Sequence, residues 1–96
     1  MAELLTEEQA DMALTDLAGW QRDGSTIELK VELASFPQAI EVVDRVAVLA
    51  EAADHHPDID IRWRTLVFRL STHSAGGLTV KDFALATQID GVLAAL

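Results

Sequence analysis

Two adjacent histidines, His55 and His56, are the residues of this 96-residue chain whose type and position best suit chemistry. They precede Pro57, which disfavours the helical conformation in the residue before it and so predicts that a helix ends here. Glu51 stands four residues before His55, one helical turn away, where a carboxylate can orient an imidazole. Histidine side chains exchange protons near neutral pH, so Glu51 and His55 are predicted to form an acid/base pair.

The remaining candidates lie further along the chain. His73 follows the last predicted strand in the stretch STHSAGG, and Asp82 stands near the start of the last predicted helix. Each has a structural alternative: the histidine pair can be a solvated helix end, His73 a polar strand end, and Asp82 a helix-capping residue three positions after Thr79. Trp63 can be a core ring or a ring that stacks on a ligand. On the residues alone these alternatives stay open.

Metal binding is a further alternative, because three histidines can hold zinc. Side chains of neighbouring residues at a helix end diverge by about 100°, however, so His55 and His56 do not converge easily on one ion. The chain also has no cysteine, which excludes disulfides, thiolate metal sites and a cysteine nucleophile. No metal site is predicted.

Charge and hydropathy limit the partners. Sixteen acidic residues against seven basic ones give a net charge of −9, which repels phosphate backbones and acidic membranes. No apolar run approaches the roughly 18 residues of a membrane span, and the N-terminal residues lack the pattern of a signal peptide. A single cytoplasmic domain over residues 1–96 is expected, with a small molecule or a protein as its partner and no binding to nucleic acid or membrane.

The first third of the chain predicts a helix and a hairpin. Thr6 and Gln9 have the spacing of a capping box, which begins a helix that Gly19 is expected to end. Asp23-Gly24 is typical of a tight hairpin turn. A strand with one buried face then follows from the alternation of Ile27, Leu29, Val31 and Leu33 with charged residues.

The rest of the chain predicts two helices around a second pair of strands. Ser35 and Gln38 cap a helix that runs to the histidines, with an apolar stripe of Phe36, Ala39, Ile40, Val43, Val46, Ala47, Ala50 and Ala53. A shift in apolar phase predicts a turn or bulge at Arg64-Thr65. The last helix follows Thr79, with a stripe of Phe83, Ala86, Ile89, Leu93 and Leu96.

These elements predict an α+β fold: an antiparallel sheet of about four strands with three helices packed on one face, in the order α-β-β-α-β-β-α. Apolar residues of the last helix are predicted to form surplus surface for self-assembly, namely Leu85, Ile89, Val92 and Leu96.

The spacing of these candidates resembles the signature of the pterin-4a-carbinolamine dehydratases. An acidic residue, His-His-Pro, an aromatic residue, a histidine and an aspartate recur at fixed intervals, here Glu51, His55-His56-Pro57, Trp63, His73 and Asp82. The likeness extends to LTEEQ, to GW before the first strand, to FPQAIEVVDRVAVLAE and to GGLTVKDFALATQID, so it covers nearly the whole chain.

The resemblance implies an enzyme that removes water from a 4a-hydroxytetrahydropterin without a metal or organic cofactor. It implies acid/base work for His55 and His73, with His56 holding the pterin, so the predicted catalytic set is these three histidines. Glu51 and Asp82 are implied in support. Substrate contacts are implied for the histidine pair and for Pro57, Trp63, Thr72, His73, Ser74 and Ala75.

The family also implies a homodimer or homotetramer. Ile59 departs from the animal pattern, where tryptophan stands, so details of that pocket wall are not carried over. The alternative function is a non-catalytic protein-binding or assembly module on the same fold.

Overall fold

The computed structural model describes residues 3–96; Met1 and Ala2, the start of the predicted domain, lie outside the described residues. The predicted order of helices and strands is confirmed, and with it the α+β fold class. The elements are α1 (Glu7–Leu14), β1 (Trp20–Asp23), β2 (Thr26–Glu32), α2 (Phe36–Ala53), β3 (Asp58–Arg62), β4 (Thr65–Leu70) and α3 (Val80–Ala94). Across residues 3–96, no helix has the length and apolar character needed to cross a membrane.

The sheet is antiparallel with strand order β1-β2-β4-β3. Its apolar face is built from cross-strand neighbours: Leu29 pairs with Phe68, which pairs with Ile59 on the other side. The opposite face carries charges, including an ion pair of 2.9 Å between Glu28 and Arg69. Alternation along each strand therefore directs one face to the core beneath the helices and the other to solvent.

Helix α1 begins as predicted and ends early. Both hydrogen bonds of the Thr6 capping box are present, but the helix stops at Leu14 rather than at Gly19. The Thr15 hydroxyl donates to the Met12 carbonyl at 2.7 Å, and the chain then continues as separate turns. Gly19 instead allows close packing against Leu29, because a Cβ there would lie 2.9 Å from a methyl group of Leu29.

The two hairpins have two-residue turns. Gly24, at φ +61°, and Ser25 join β1 to β2, so the predicted tight turn is present but lies one residue later than Asp23-Gly24, because Asp23 pairs with Thr26. The second turn is Trp63-Arg64, one residue earlier than predicted, with Trp63 at φ +54°. Thr65 is already paired, because it lies opposite Arg62 on one side and Glu32 on the other.

The predicted apolar stripe of α2 is only partly correct. Phe36 is 46% exposed, and Ala47 and Ala53 are also exposed. The buried face instead consists of Ala39, Val42, Val46 and Ala50. This row follows the three- and four-residue spacing of one helical face. Phe36 and Ala53 continue that spacing but are the first and last residues of the helix, and Ala47 lies beside the row.

The predicted assembly surface on α3 is wrong for two of its members. Leu85 and Ile89 are 1% and 0% exposed, because they pack in the core. Val92 is half-buried against that core, and Leu96 lies beyond the end of the helix with 47% exposure. A continuous apolar face for assembly is therefore not present on α3.

Replacing Ser35 by alanine is expected to lower the free energy of unfolding by about 1 kcal/mol, the usual contribution of a helix N-cap. The Ser35 hydroxyl accepts from the backbone N–H of Gln38 at 3.2 Å and so satisfies one free donor of α2. Urea unfolding followed by circular dichroism measures the change. Ser25→Ala is the matched control, since that side chain makes no hydrogen bond within residues 3–96. Equal stability of the two variants would contradict the capping role.

Candidate active site

The end of α2 decides where the two histidines point. Asp54 adopts the left-handed conformation at φ 49° and ψ 45°, and the His55 N–H bonds to the Ala50 carbonyl at 3.0 Å. This closure is a Schellman motif, and it ends the helix at Ala53, four residues before Pro57. Proline was predicted to end the helix, and Asp54 was missed, although aspartate is one of the few residues that tolerate this conformation.

His55 lies inside the protein and is bound to Asp82. The distance between His55 Nε2 and Asp82 Oδ1 is 2.6 Å, with His55 8% exposed and Asp82 fully buried. The other carboxylate oxygen, Oδ2, accepts from the Thr72 hydroxyl and the Thr79 backbone N–H, both at 2.9 Å. Asp82 therefore caps α3 and also holds His55, so the capping alternative is confirmed, while a part in the chemistry stays a prediction.

The predicted pairing of Glu51 with His55 is wrong. Glu51 Oε1 lies 2.7 Å from Nε2 of His56 instead, and both side chains are largely exposed. The reason is the left-handed residue Asp54, which takes His55 off the helical path and turns it toward the core. The i,i+4 geometry on which the prediction depended therefore ends before His55 is reached.

A largely apolar cleft of about 680 Å³ adjoins the second pair. Its lining joins the last turns of α2 to the start of β3: Ala47, Val48, Ala50, Glu51, Ala52, His56, Pro57 and Ile59. The volume lies within the range of small-molecule sites, which commonly combine apolar walls with a few polar groups. Here the polar groups are the carboxylate of Glu51 and the imidazole of His56.

His73 lies in a tight loop that follows β4. A single 3₁₀ turn, His73–Ala75, is closed by the Thr72 carbonyl, which accepts from the N–H groups of Ala75 and Gly76 at 3.0 Å. His73 and Ser74 are exposed, whereas Thr72 is buried with its hydroxyl on Asp82. Substrate contact by this segment stays a prediction, and Thr72 joins the loop to the buried His55 network.

Trp63 lies away from these groups. It is 70% exposed at the turn between β3 and β4, so it is not a core residue. The Arg64 guanidinium lies 4.7 Å from its ring centroid. The five residues of β3, roughly 17 Å of extended chain, separate Trp63 from Pro57. The structure therefore does not bring Trp63 to the histidines within one chain, and its contact with substrate stays a prediction.

The two histidines of the pair have separate carboxylate partners. His55 bonds to Asp82 and His56 to Glu51. In the described part of the chain, no group of three or more His, Asp or Glu side chains is placed to hold a metal ion. The chemistry that this arrangement supports is proton transfer by imidazoles oriented by carboxylates.

The family model of the pterin 4 alpha carbinolamine dehydratases matches residues 3–92. The chain belongs to this family. Relatives provisionally named pterin-4-alpha-carbinolamine dehydratases include one from Nocardia farcinica (strain IFM 10152), 62% identical over 88 residues, which are 92% of this chain and 93% of that protein. Another, from Roseiflexus castenholzii (strain DSM 13941 / HLO8), is 57% identical over 97% of this chain and 100% of the relative.

One solved structure agrees with membership in the dehydratase family, and a second one shows the fold. A transcriptional coactivator/pterin dehydratase from Brucella melitensis has a TM-score of 0.89 and 30% identity, covering 92% of this chain and 96% of its own. A pterin dehydratase-like protein described as a RuBisCO assembly factor in the alpha-carboxysome has a TM-score of 0.63 at 20% identity. It covers 76% of this chain and 84% of its own, and it shares the fold.

Proposed function

We propose that this chain dehydrates a 4a-hydroxytetrahydropterin to the quinonoid dihydropterin as part of pterin recycling. The observation that carries the proposal is the pair of imidazole–carboxylate contacts at the end of α2, His55 with buried Asp82 and His56 with Glu51 beside an apolar cleft. Membership in the dehydratase family supports the same reaction.

The reaction needs one proton donor and one proton acceptor. The C4a–O bond breaks as the leaving hydroxyl takes a proton from a general acid and departs as water. The lone pair of N5 forms the C4a=N5 double bond, and the N5 proton passes to a general base. Since the enzyme gives one proton and takes one, its net protonation is unchanged, and no oxidant or reductant is required. Each positioned group contributes on the order of 10²–10⁴-fold to such a step.

The site supplies candidates for each of these tasks. In this proposal His55 and His73 exchange the two protons, while His56, held by Glu51, positions the pterin at the cleft. The burial of the His55–Asp82 contact supports a role for His55 in the chemistry, because a hydrogen bond is electrostatically stronger away from water. Apolar side chains such as Val48 and Ile59 provide walls against which a flat ring can pack.

The direct test generates the carbinolamine with an aromatic amino acid hydroxylase and follows its dehydration by absorbance. Purified protein is expected to raise the rate above the spontaneous rate in proportion to its concentration. A chelator is expected to leave that rate unchanged, since proton transfer by histidines needs no metal. Absence of acceleration by the purified protein would overturn the proposal.

The Glu51→Gln variant is expected to dehydrate the carbinolamine about 1.4- to fivefold more slowly, since exposed ion pairs contribute roughly 0.2–1 kcal/mol. The 2.7 Å contact with His56 would lose its charge while the side chain kept its size. Glu41→Gln is the matched control, because Glu41 is another exposed carboxylate on α2 and pairs with Arg45 at 2.8 Å. Equal dehydration rates for the two variants would exclude a role for Glu51 in the reaction.

Self-association into a homodimer or homotetramer is also part of the proposal. Val48 on the outer side of α2 is 70% exposed and borders the cleft, which supports assembly through this helix rather than through α3. Sedimentation equilibrium decides the stoichiometry. A purely monomeric protein at micromolar concentration would contradict this part.

A protein-binding role is the second candidate. The Brucella melitensis protein, 30% identical to this chain, is named a transcriptional coactivator as well as a pterin dehydratase. Exposed apolar side chains such as Val48 and Trp63 are suitable for a protein contact. Capture of one specific partner that persists when all three histidines are replaced would favour this function over dehydration.

A further inference from the structure

Two buried threonines, Thr72 and Thr79, lie behind Asp82. They are 4% and 0% exposed, and their hydroxyl oxygens are 2.7 Å apart. Thr72 Oγ1 is also 2.9 Å from Asp82 Oδ2, while Thr79 Oγ1 accepts from the Lys81 backbone N–H at 3.2 Å. These contacts form one continuous chain of hydrogen bonds from the first turn of α3 to the carboxylate.

Counting hydrogens fixes the direction of this chain. Each threonine hydroxyl has one hydrogen to donate. If Thr72 donated to Thr79, two acceptor oxygens, Thr72 Oγ1 and Asp82 Oδ2, would face each other at 2.9 Å without a hydrogen between them. Thr72 therefore donates to Asp82, and Thr79 donates to Thr72 after accepting from Lys81.

The same count of hydrogens shows which oxygen of Asp82 remains available to His55. Asp82 Oδ2 receives two donors, the Thr72 hydroxyl and the Thr79 N–H, so only Oδ1 is directed at His55. A carboxylate buried to this degree requires a donor at that oxygen, because an unpaired buried charge is costly. The hydrogen of neutral His55 consequently lies on Nε2, 2.6 Å from Oδ1.

The other ring nitrogen of His55 is then an unprotonated base. Within residues 3–96, Nδ1 makes no hydrogen bond and is not completely enclosed by protein. It therefore keeps some contact with solvent, although His55 as a whole is only 8% exposed. The imidazolium formed by taking that proton is stabilised by Asp82, as in other His–Asp pairs.

We propose that Thr72 and Thr79 are positioning residues that hold Asp82 in one orientation and thereby keep His55 in the Nε2–H tautomer, with Nδ1 as the atom that accepts the N5 proton. The catalytic half of this inference rests on the proposed dehydration, whereas the tautomer half does not. The hydroxyl of Thr72, predicted to contact substrate, acts here through Asp82 and His55.

The tautomer is measured by nitrogen-15 NMR of labelled histidine, at a pH where His55 is neutral. The wild type is expected to show the Nε2–H form for His55. Thr72→Val, which keeps the shape and removes the hydroxyl, is expected to give a mixture of tautomers and to lower kcat about 10-fold with KM little changed, consistent with the loss of one hydrogen bond to a charged group. Thr72→Ser is expected to restore both properties.

Thr87→Val is the matched control, because its hydroxyl bonds within α3 to the Phe83 carbonyl at 2.9 Å and leaves the rate and tautomer as in the wild type. An Nδ1–H tautomer in the wild type would overturn the proposal, as would a Thr72→Val protein with unchanged kcat and tautomer. If Thr72→Val does not fold, Thr72→Ala is the second hydroxyl-free variant, and the wild-type tautomer remains decisive. If the wild type were inactive but showed the Nε2–H form, the proposed dehydratase function would be excluded and the tautomer proposal would stand.

Discussion

The His55→Ala variant is expected to dehydrate the carbinolamine about 10²–10⁴ times more slowly than the wild type, the usual contribution of one positioned general acid or base. His55 is the histidine with a buried carboxylate partner, so its removal takes away the imidazole that Asp82 orients. Steady-state rates against carbinolamine concentration measure the effect, which is expected in kcat rather than in KM.

A second substitution separates chemistry from folding. Alanine leaves the buried Asp82 without its donor, which lowers stability. His55→Gln carries an amide N–H that can still donate to Asp82 but cannot transfer a proton, so this variant is expected to fold and remain slow. A His55→Gln protein with the wild-type rate would contradict the role of His55. His73→Ala, on an exposed loop, tests independently the acid/base role proposed for His73.

The Asp82→Asn variant is the other substitution with a large expected effect, a loss of about 10²–10⁴-fold in kcat; Asp→Asn in Ser-His-Asp sites costs about 10⁴-fold through the wrong histidine tautomer. The Thr72 hydroxyl and the Thr79 N–H select the carbonyl oxygen of asparagine, so the amide NH₂ faces His55. Nε2 must then accept, which moves the hydrogen to Nδ1 and removes the base. Nitrogen-15 NMR detects the exchange directly.

Asp90→Asn is the matched control for this change. Asp90 also lies on α3, and its carboxylate accepts from the indole N–H of Trp20 at 2.9 Å, a bond that an amide oxygen can keep. The control is therefore expected to retain the rate and the tautomer of the wild type. An Asp82→Asn enzyme as fast as this control would exclude Asp82 from the catalytic site.

Much of the fold follows from local patterns. The capping boxes at Thr6 and Thr79, the cap at Ser35 and the glycine turn at Gly24 all depend on contacts between residues at most four positions apart. The strict alternation of β2 likewise needs only the two-residue period of a strand. Such features are governed by backbone dihedral angles and short-range hydrogen bonds, so the sequence predicts them well.

Predictions from local patterns were less accurate where tertiary packing competes with them. The turn at Trp63 and the early end of α1 were displaced from their predicted positions by one and five residues. The stripe of α2 was misjudged because alanine and valine populate several faces of that helix, and only packing in the core selects one. The helical period alone does not show which face of α2 is buried, so tertiary packing decided it.

The partner of each histidine was decided by the tertiary structure. His55 and Asp82 are 27 residues apart and meet because α2 and α3 pack together over the same sheet. The nearer carboxylate, Glu51, had the right spacing for His55 but pairs with His56, since the left-handed Asp54 interrupts the helix between them. Sequence spacing identified the chemical groups, whereas three-dimensional packing assigned their hydrogen bonds.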